Sequence, residues 1–237
     1  MKAGPALLLL NLVLLSAFAE DTGHWRFDGS LNLFLAGMSG DVAAKGIPTS
    51  VNASFSDIFE HLEAGAAGRF TVGYDRWFAS TEFSYLRLGA SPPLADLDLE
   101  QWLVEPSIGY TFCKYFDGFA GARYNNISGD VTFHGPVGRV PSGTHDWWDP
   151  IVGAQLRFPL YRDKLSFDGR FDVGGFGVGS DFTWQAFPYL NWRFAKWASA
   201  QAGYRWLGTD YETGNGTSRF RYDVTLQGPQ LGLSFHF

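Results

Sequence analysis

Apolar and polar side chains alternate with period two from about residue 25 to the end of the chain. At 230–237, Leu231, Leu233, Phe235 and Phe237 share one face; Gln230, Gly232, Ser234 and His236 share the other. At 165–173, Leu165, Phe167, Phe171 and Val173 oppose Ser166, Asp168, Arg170 and Asp172. At 197–206, Ala198, Ala200, Ala202, Tyr204 and Trp206 oppose Ser199, Gln201, Gly203 and Arg205. Successive side chains of a strand point to opposite faces, so each stretch predicts a strand with one apolar face. Ten strands are expected, at about 25–37, 62–74, 77–88, 97–112, 116–127, 148–159, 164–174, 181–194, 197–210 and 219–237. After residue 20 a helical turn is plausible only at 55–62.

The connections alternate in length. Tight turns fall near Asp75-Arg76, Cys113-Tyr115, Tyr161-Asp163 and Ala195-Lys196; longer ones fall at about 38–61, 89–96, 128–147, 175–180 and 211–218. Short turns at one end and longer loops at the other describe an up-and-down barrel in a membrane. No linker or composition shift interrupts 20–237, which reads as one all-β domain: a closed antiparallel transmembrane barrel of about ten strands. Residues 1–19 read as a secretory signal, with Lys2, an apolar core at 6–15 and Ala17-Phe18-Ala19 as the small-x-small pattern, cleaved after Ala19. No other apolar run reaches the 18 or so residues a membrane helix needs. A spanning chain would then have to close a barrel, because only helices and closed barrels satisfy their backbone groups in lipid.

Alternation alone also fits a soluble periplasmic binding barrel with its apolar face inward. Three patterns favour the inverse. The polar face carries ions of both signs in mid-strand: Glu82, Glu105, Arg123, Arg157, Asp168, Arg170, Asp172, Arg193 and Arg205. Aromatics gather near the ends of the apolar stripes, as in Trp77 and Tyr85, Trp102 and Tyr110, Trp184 and Trp192, and Trp197 and Trp206, as two membrane-interface girdles would. Alanine often lies between them, where a soluble core would use larger side chains. A lumen this narrow is expected to be packed with paired charges ahead of a small aqueous pore. Pro106, Pro150 and Pro188 are read as bulges or strand ends. A one-residue bulge near Gly228-Pro229 is expected, because apolar Val224 and Leu226 are even-numbered while the apolar face from Leu231 is odd. Gly121-Ala-Arg123-Tyr124 and Gly203-Tyr-Arg205-Trp206 form a weak internal echo.

Composition narrows the chemistry. Charged residues are 18%, aromatics 17% and net charge is −6, against both disorder and a nucleic-acid partner. One cysteine, Cys113, builds neither a disulfide framework nor a zinc cluster. No metal or cofactor is expected. Gly174 to Gly179 lacks the lysine and following helix of a phosphate loop and reads as a tight flexible loop. The one cluster resembling hydrolase chemistry is His134, Ser142, His145, Asp146 and Asp149 in a long loop, where a histidine–aspartate pair could activate water. A polar surface loop contains such residues anyway. His61 and Glu63 read as rim residues, and His236 as a hydrogen-bonded lumen residue.

The C-terminal segment adds a resemblance. Gln230, Gly232, Phe235 and Phe237 match the C-terminal signal of bacterial outer-membrane β-barrels: a polar residue, a glycine two on, and aromatics third from last and last. In that class the signal is recognised by the barrel-assembly machinery. Segments 147–159, 172–184 and 219–233 make the whole domain resemble an uncharacterised outer-membrane barrel family of the OmpA-like/porin-like superfamily. The resemblance implies a place in the outer membrane in contact with its lipid, with both termini periplasmic, and no catalytic residues. The expected function is non-enzymatic: envelope structure, surface contact or limited passage of small solutes. An outer-membrane hydrolase acting at the rim is the alternative.

Overall fold

The computed structural model describes residues 25–44, 47–90, 95–133, 138–162 and 164–237. The leader 1–19 with its cleavage site at Ala19, and His134, lie outside them. The elements are β1 (Trp25–Phe34), β2 (Gly37–Ala44), β3 (Ile47–Ala53), α1 (Phe55–Glu60), β4 (Leu62–Tyr74), β5 (Trp77–Ala90), β6 (Ala95–Cys113), β7 (Phe116–Phe133), β8 (Gly138–Tyr161), β9 (Leu165–Gly175), β10 (Phe182–Trp192), β11 (Ala198–Thr213) and β12 (Phe220–His236). β1 and β4 to β12 form a closed antiparallel barrel of ten strands, sealed by β1 against β12. The four tight turns lie at one end, with the start of β1 and the end of β12; the longer connections lie at the other.

The segment expected as one long loop at 38–61 is structured. β2 continues β1 along β12 in unchanged register, with Phe34 opposite Gln230 and Gly37 opposite Gln227. Only the Leu35-Ala36 step interrupts it, opposite Gly228-Pro229, and there the Leu35 N–H donates to the Pro229 carbonyl. β3 folds back on β2, and α1 returns the chain to β4. α1 starts at Ser54, whose hydroxyl accepts from the Asp57 N–H while Asp57 accepts from the Ser54 N–H, a reciprocal cap. β7 and β8 likewise extend through most of the expected loop 128–147.

Pro106 and Pro188 make no bulges, and the β8–β9 pairing ends beside Pro150, at Ile151–Gly174. On the β6–β7 ladder pairing stops at Val104–Tyr124 and resumes at Ser107–Gly121 in the same register; Pro188 does the same between β10 and β11. Proline removes one donor but leaves a strand free to stay in step, so the wall loses a rung and not its register. Gly121 and Gly203 admit the proline carbonyls: a Cβ there would lie 2.3 Å from Pro106 O and 2.2 Å from Pro188 O. Two residues on, Arg123 and Arg205 point into the lumen, so the weak sequence echo is one structural device used twice.

The expected bulge near Gly228 is also absent. Phe220, Tyr222, Val224, Gly228 and Gln230 all face inward, and Leu231 and Leu233 face outward, in one continuous parity. What changes is the surroundings. Towards the tight-turn end the outer face is apolar, as in Ile108, Val152, Phe167, Leu190 and Leu233, and the inner face is polar apart from a layer of Phe78, Phe119 and Ile151. Towards the loop end the outer residues become Arg87, Glu100, Asp146, Asp210 and Asp223, while inward ones become apolar. Outward aromatics mark the change at Tyr85, Trp102, Tyr124, Trp148 and Trp206, and a second set with Trp77, Tyr110, Tyr161, Trp192 and Trp197 lies at the turn end. From Trp77 to Tyr85, from Trp102 to Tyr110 and from Trp197 to Trp206 the chain runs about nine or ten residues, the length that crosses a bilayer.

Candidate functional site

Mid-barrel, charged side chains from opposite walls meet and fill the lumen. Arg123 donates from Nε to Glu105 at 2.7 Å, from Nη2 to Asp172 at 2.7 Å and from Nη1 to Thr183 at 2.8 Å. Arg170 reaches Glu105 at 2.9 Å and Glu82 at 3.1 Å. Arg205 reaches Glu82 at 2.6 Å and donates to Gln185 and Gln230. Arg69 on β4 donates to the same Glu82. Arg123, Glu105 and Arg170 are at most 2% exposed, so their side chains fill the centre of the lumen at this level, while the Arg69 side chain at its edge is 21% exposed. Four guanidiniums share three carboxylates, each held by two or three partners, which is how buried charges are tolerated.

Below this belt, towards the turn end, Phe78, Phe119 and Ile151 form an apolar layer, and the Arg170 guanidinium lies 4.7 Å from the Phe119 ring centre. Above it, towards the loop end, a second plug is aromatic. Ile127 and Trp147 pack against Phe220, Tyr222 and Val224, with Met38, Val42, Leu99 and Tyr211 around them. β9 and β10 are short, so above Ile151 β8 has no partner on that side and β11 loses β10 above Asp210. Asp149 ties the β9–β10 turn down, accepting from the Ser180 N–H at 2.6 Å, from Trp147 Nε1 at 3.0 Å and from Asn125 at 3.3 Å. Burial pushes the Tyr222 phenol up to about 12.

Of the loop residues that resembled hydrolase chemistry, the described ones are not brought together. His145 points inward and stacks on Phe220, with ring centres 3.8 Å apart; Asp146 points out from the neighbouring position; Asp149 is spent on its three donors. The side chain of Ser142 and the whole of His134 lie outside the described residues. His61 closes α1, with Nδ1 2.7 Å from the Asp57 carbonyl, and Glu63 pairs with Arg87 at 2.9 Å.

Of the nine expected lumen ions, Glu82, Glu105, Arg123, Arg170, Asp172 and Arg205 form the belt. Asp168 is buried on the same inner face but outside it, with Oδ1 unpartnered. Arg157 sits where the lumen opens at the turn end, its side chain 53% exposed and 4.0 Å from Asp117. Arg193 lies beyond the end of β10 and is exposed. Arg157 is still paired with Asp168 on the β8–β9 ladder but near its turn end, and Arg193 lies past the last residue of β10, so neither reaches the mid-barrel level. Arg69, Gln185 and Thr183 are absent from the sequence expectation, which puts Asp149 in the loop cluster; an inward parity on β4, β8 and β10 places all four inside.

At the turn end, His236 Nδ1 is 2.6 Å from Asp28 Oδ1 and its Nε2 is 3.0 Å from Ser199 Oγ. In the C-terminal pattern, Gln230 is buried against Arg205, and a Cβ at Gly232 would strike Asn32 and Gln201. Phe235 stacks on Trp197, and exposed Phe237 pairs its backbone with Phe27 across the seam. Among the described residues no group of histidine, cysteine or carboxylate side chains is spaced to hold a metal, and Cys113 is exposed at its turn.

No family model matches the chain, and no characterised protein matches it by sequence. Solved structures do match. The outer membrane protease OmpT from Escherichia coli aligns with a TM-score of 0.57 at 9% identity, over 91% of this chain and 97% of that one. Ail, the attachment invasion locus protein of Yersinia pestis, aligns at 0.39 and 10% identity over 90% and 99% of the two chains. A Pseudomonas aeruginosa FadL homologue aligns at 0.40 and 10% identity over 91% and 90%. The first shows that this closed barrel is one that outer-membrane proteins use.

Proposed function

We propose that the protein is a sealed outer-membrane barrel that serves as envelope structure and as a contact surface through its loop end. It is not an open channel, and the loop-end cluster of His145, Asp146 and Asp149 is not a hydrolase site. The observation that carries this reading is the charge belt: its central ions are fully covered, and a second, aromatic plug stands above them. The apolar outer band between two aromatic girdles supports contact with membrane lipid. The turn end, with β1's start and β12's end, faces the periplasm in this reading, and the extended β6 to β8 and β11 to β3 walls stand outside the cell. Gln230, Gly232, Phe235 and Phe237 would present the chain to the barrel-assembly machinery, and segments 147–159, 172–184 and 219–233 favour the OmpA-like/porin-like superfamily.

The orientation is tested by epitope insertion. A tag placed after Asn215 at the loop end should be labelled by antibody on intact cells, whereas one after Lys114 should be labelled only after the outer membrane is permeabilised. The opposite result would invert the barrel.

A further inference from the structure

Asp28, His236 and Ser199 lie on three neighbouring strands at the barrel seam, away from both plugs. Asp28 and His236 are direct register partners on β1 and β12, and Ser199 on β11 pairs with Ser234, two positions before His236. The Asp28 carboxylate is held at both oxygens, by His236 Nδ1 at 2.6 Å and by Arg26 Nε at 3.3 Å. A carboxylate accepting the Nδ1 proton sets the imidazole tautomer whose Nε2 carries a lone pair. That nitrogen is 3.0 Å from Ser199 Oγ. A nucleophile within hydrogen-bond reach of a base, itself oriented by a third group, is the diagnostic arrangement of nucleophilic catalysis. All three residues sit on strands of a closed wall, which holds such groups more accurately than a loop.

We propose that Ser199, His236 and Asp28 form an acyl-transfer site at the turn-end mouth of the lumen, acting on small carboxylic esters. Ser199 Oγ attacks the ester carbonyl carbon and its proton passes to His236 Nε2. The carbon–oxygen bond to the leaving alcohol breaks, and that alcohol takes the proton from Nε2, leaving an acyl-serine. Water then attacks the acyl carbon, giving a proton to Nε2 that returns to Ser199 Oγ as the carboxylic acid leaves. Asp28 orients the ring throughout and stabilises its cation. His236 and Asp28 are about a quarter exposed (23% and 27%), whereas Ser199 is 1% exposed, so an ester reaches Ser199 Oγ only when the side chains covering it move aside. The side-chain amides of Gln201 and Asn32 lie on the same inner face; their NH2 groups donate to Ser234 Oγ at 2.9 Å and Ser30 Oγ at 3.3 Å, and would have to turn from those partners to reach an oxyanion.

The test uses the full folded chain in detergent, with folding followed by heat-modifiable migration on gels. A small alkyl fluorophosphonate should add to Ser199, identified by peptide mass, and p-nitrophenyl acetate should be hydrolysed. Ser199→Ala should abolish the adduct. Asp28→Asn and His236→Gln should slow labelling by about 10²- to 10⁴-fold while the barrel stays folded. If the His236 variant does not fold, Asp28→Asn and Ser199→Ala decide the matter alone. A folded wild-type protein that takes no label at Ser199, or ester hydrolysis untouched by Ser199→Ala, overturns the proposal.

Discussion

Trp147 on β8 lies flat against Tyr211 on β11, with ring centres 3.9 Å apart and planes within 4°, across a notch in the wall that β9 and β10 are too short to fill. The loop end therefore closes by side-chain packing where the turn end closes by backbone pairing. Trp147→Ala removes the stack and the Nε1 donor to Asp149, and should cost about 3–5 kcal/mol locally. Limited proteolysis should then cut at the β9–β10 turn or in the upper part of β8, with the spanning barrel left intact.

Arg123 sits at the centre of the belt. Arg123→Ala leaves Glu105 and Asp172 each short of a partner and should cost about 3–5 kcal/mol. The midpoint of urea unfolding of the barrel in detergent, followed by gel migration, measures this. Arg157→Ala, at the open turn end, should shift it by less than about 1 kcal/mol.

Acid should loosen the loop end. Burial against Phe220 pushes the His145 imidazole below its ordinary value, although Asp146 acts the other way. A depressed folded value means that this packing contributes stability above the usual histidine range, near about 6.5, and loses it as pH falls through the lowered value. Between about pH 7.5 and about pH 5, wild-type protein should become more sensitive to protease at its loop end. His145→Phe should show no such change.

Phe237 pairs its backbone with Phe27 at the seam and ends the C-terminal aromatic pattern. Deleting it should lower the abundance of the assembled barrel and the heat-modifiable fraction in cells. Normal yield would separate the terminal aromatic from assembly.

The strands were legible because each crosses the bilayer in one parity, and an apolar stripe of period two needs no tertiary information to be read. The same rule misled at Val224 and Leu226. Their apolar side chains looked like a change of face, whereas the strand had left the lipid and its interior had become the apolar side. The hairpin of β2 and β3 was hidden because its segment, 37–53, carries glycine, serine and threonine in place of a stripe. Belt members on β5 to β7, β9 and β11 were visible as charges in mid-strand. Arg69 escaped because the run before it, 64–68, is all alanine and glycine, and Asp149 reads as a loop residue because it follows two tryptophans at that loop's boundary. The closeness of Asp28 and His236, 208 positions apart, comes only from barrel closure.

The central claim, a barrel sealed by its own side chains, is tested most directly by single-channel recording in a planar bilayer. Protein whose insertion is established by protease protection of reconstituted vesicles should give a flat current. The paired removal Glu105→Ala with Arg123→Ala should introduce conducting events in the same preparation. Steady, uniform channels from the wild-type protein would contradict the account.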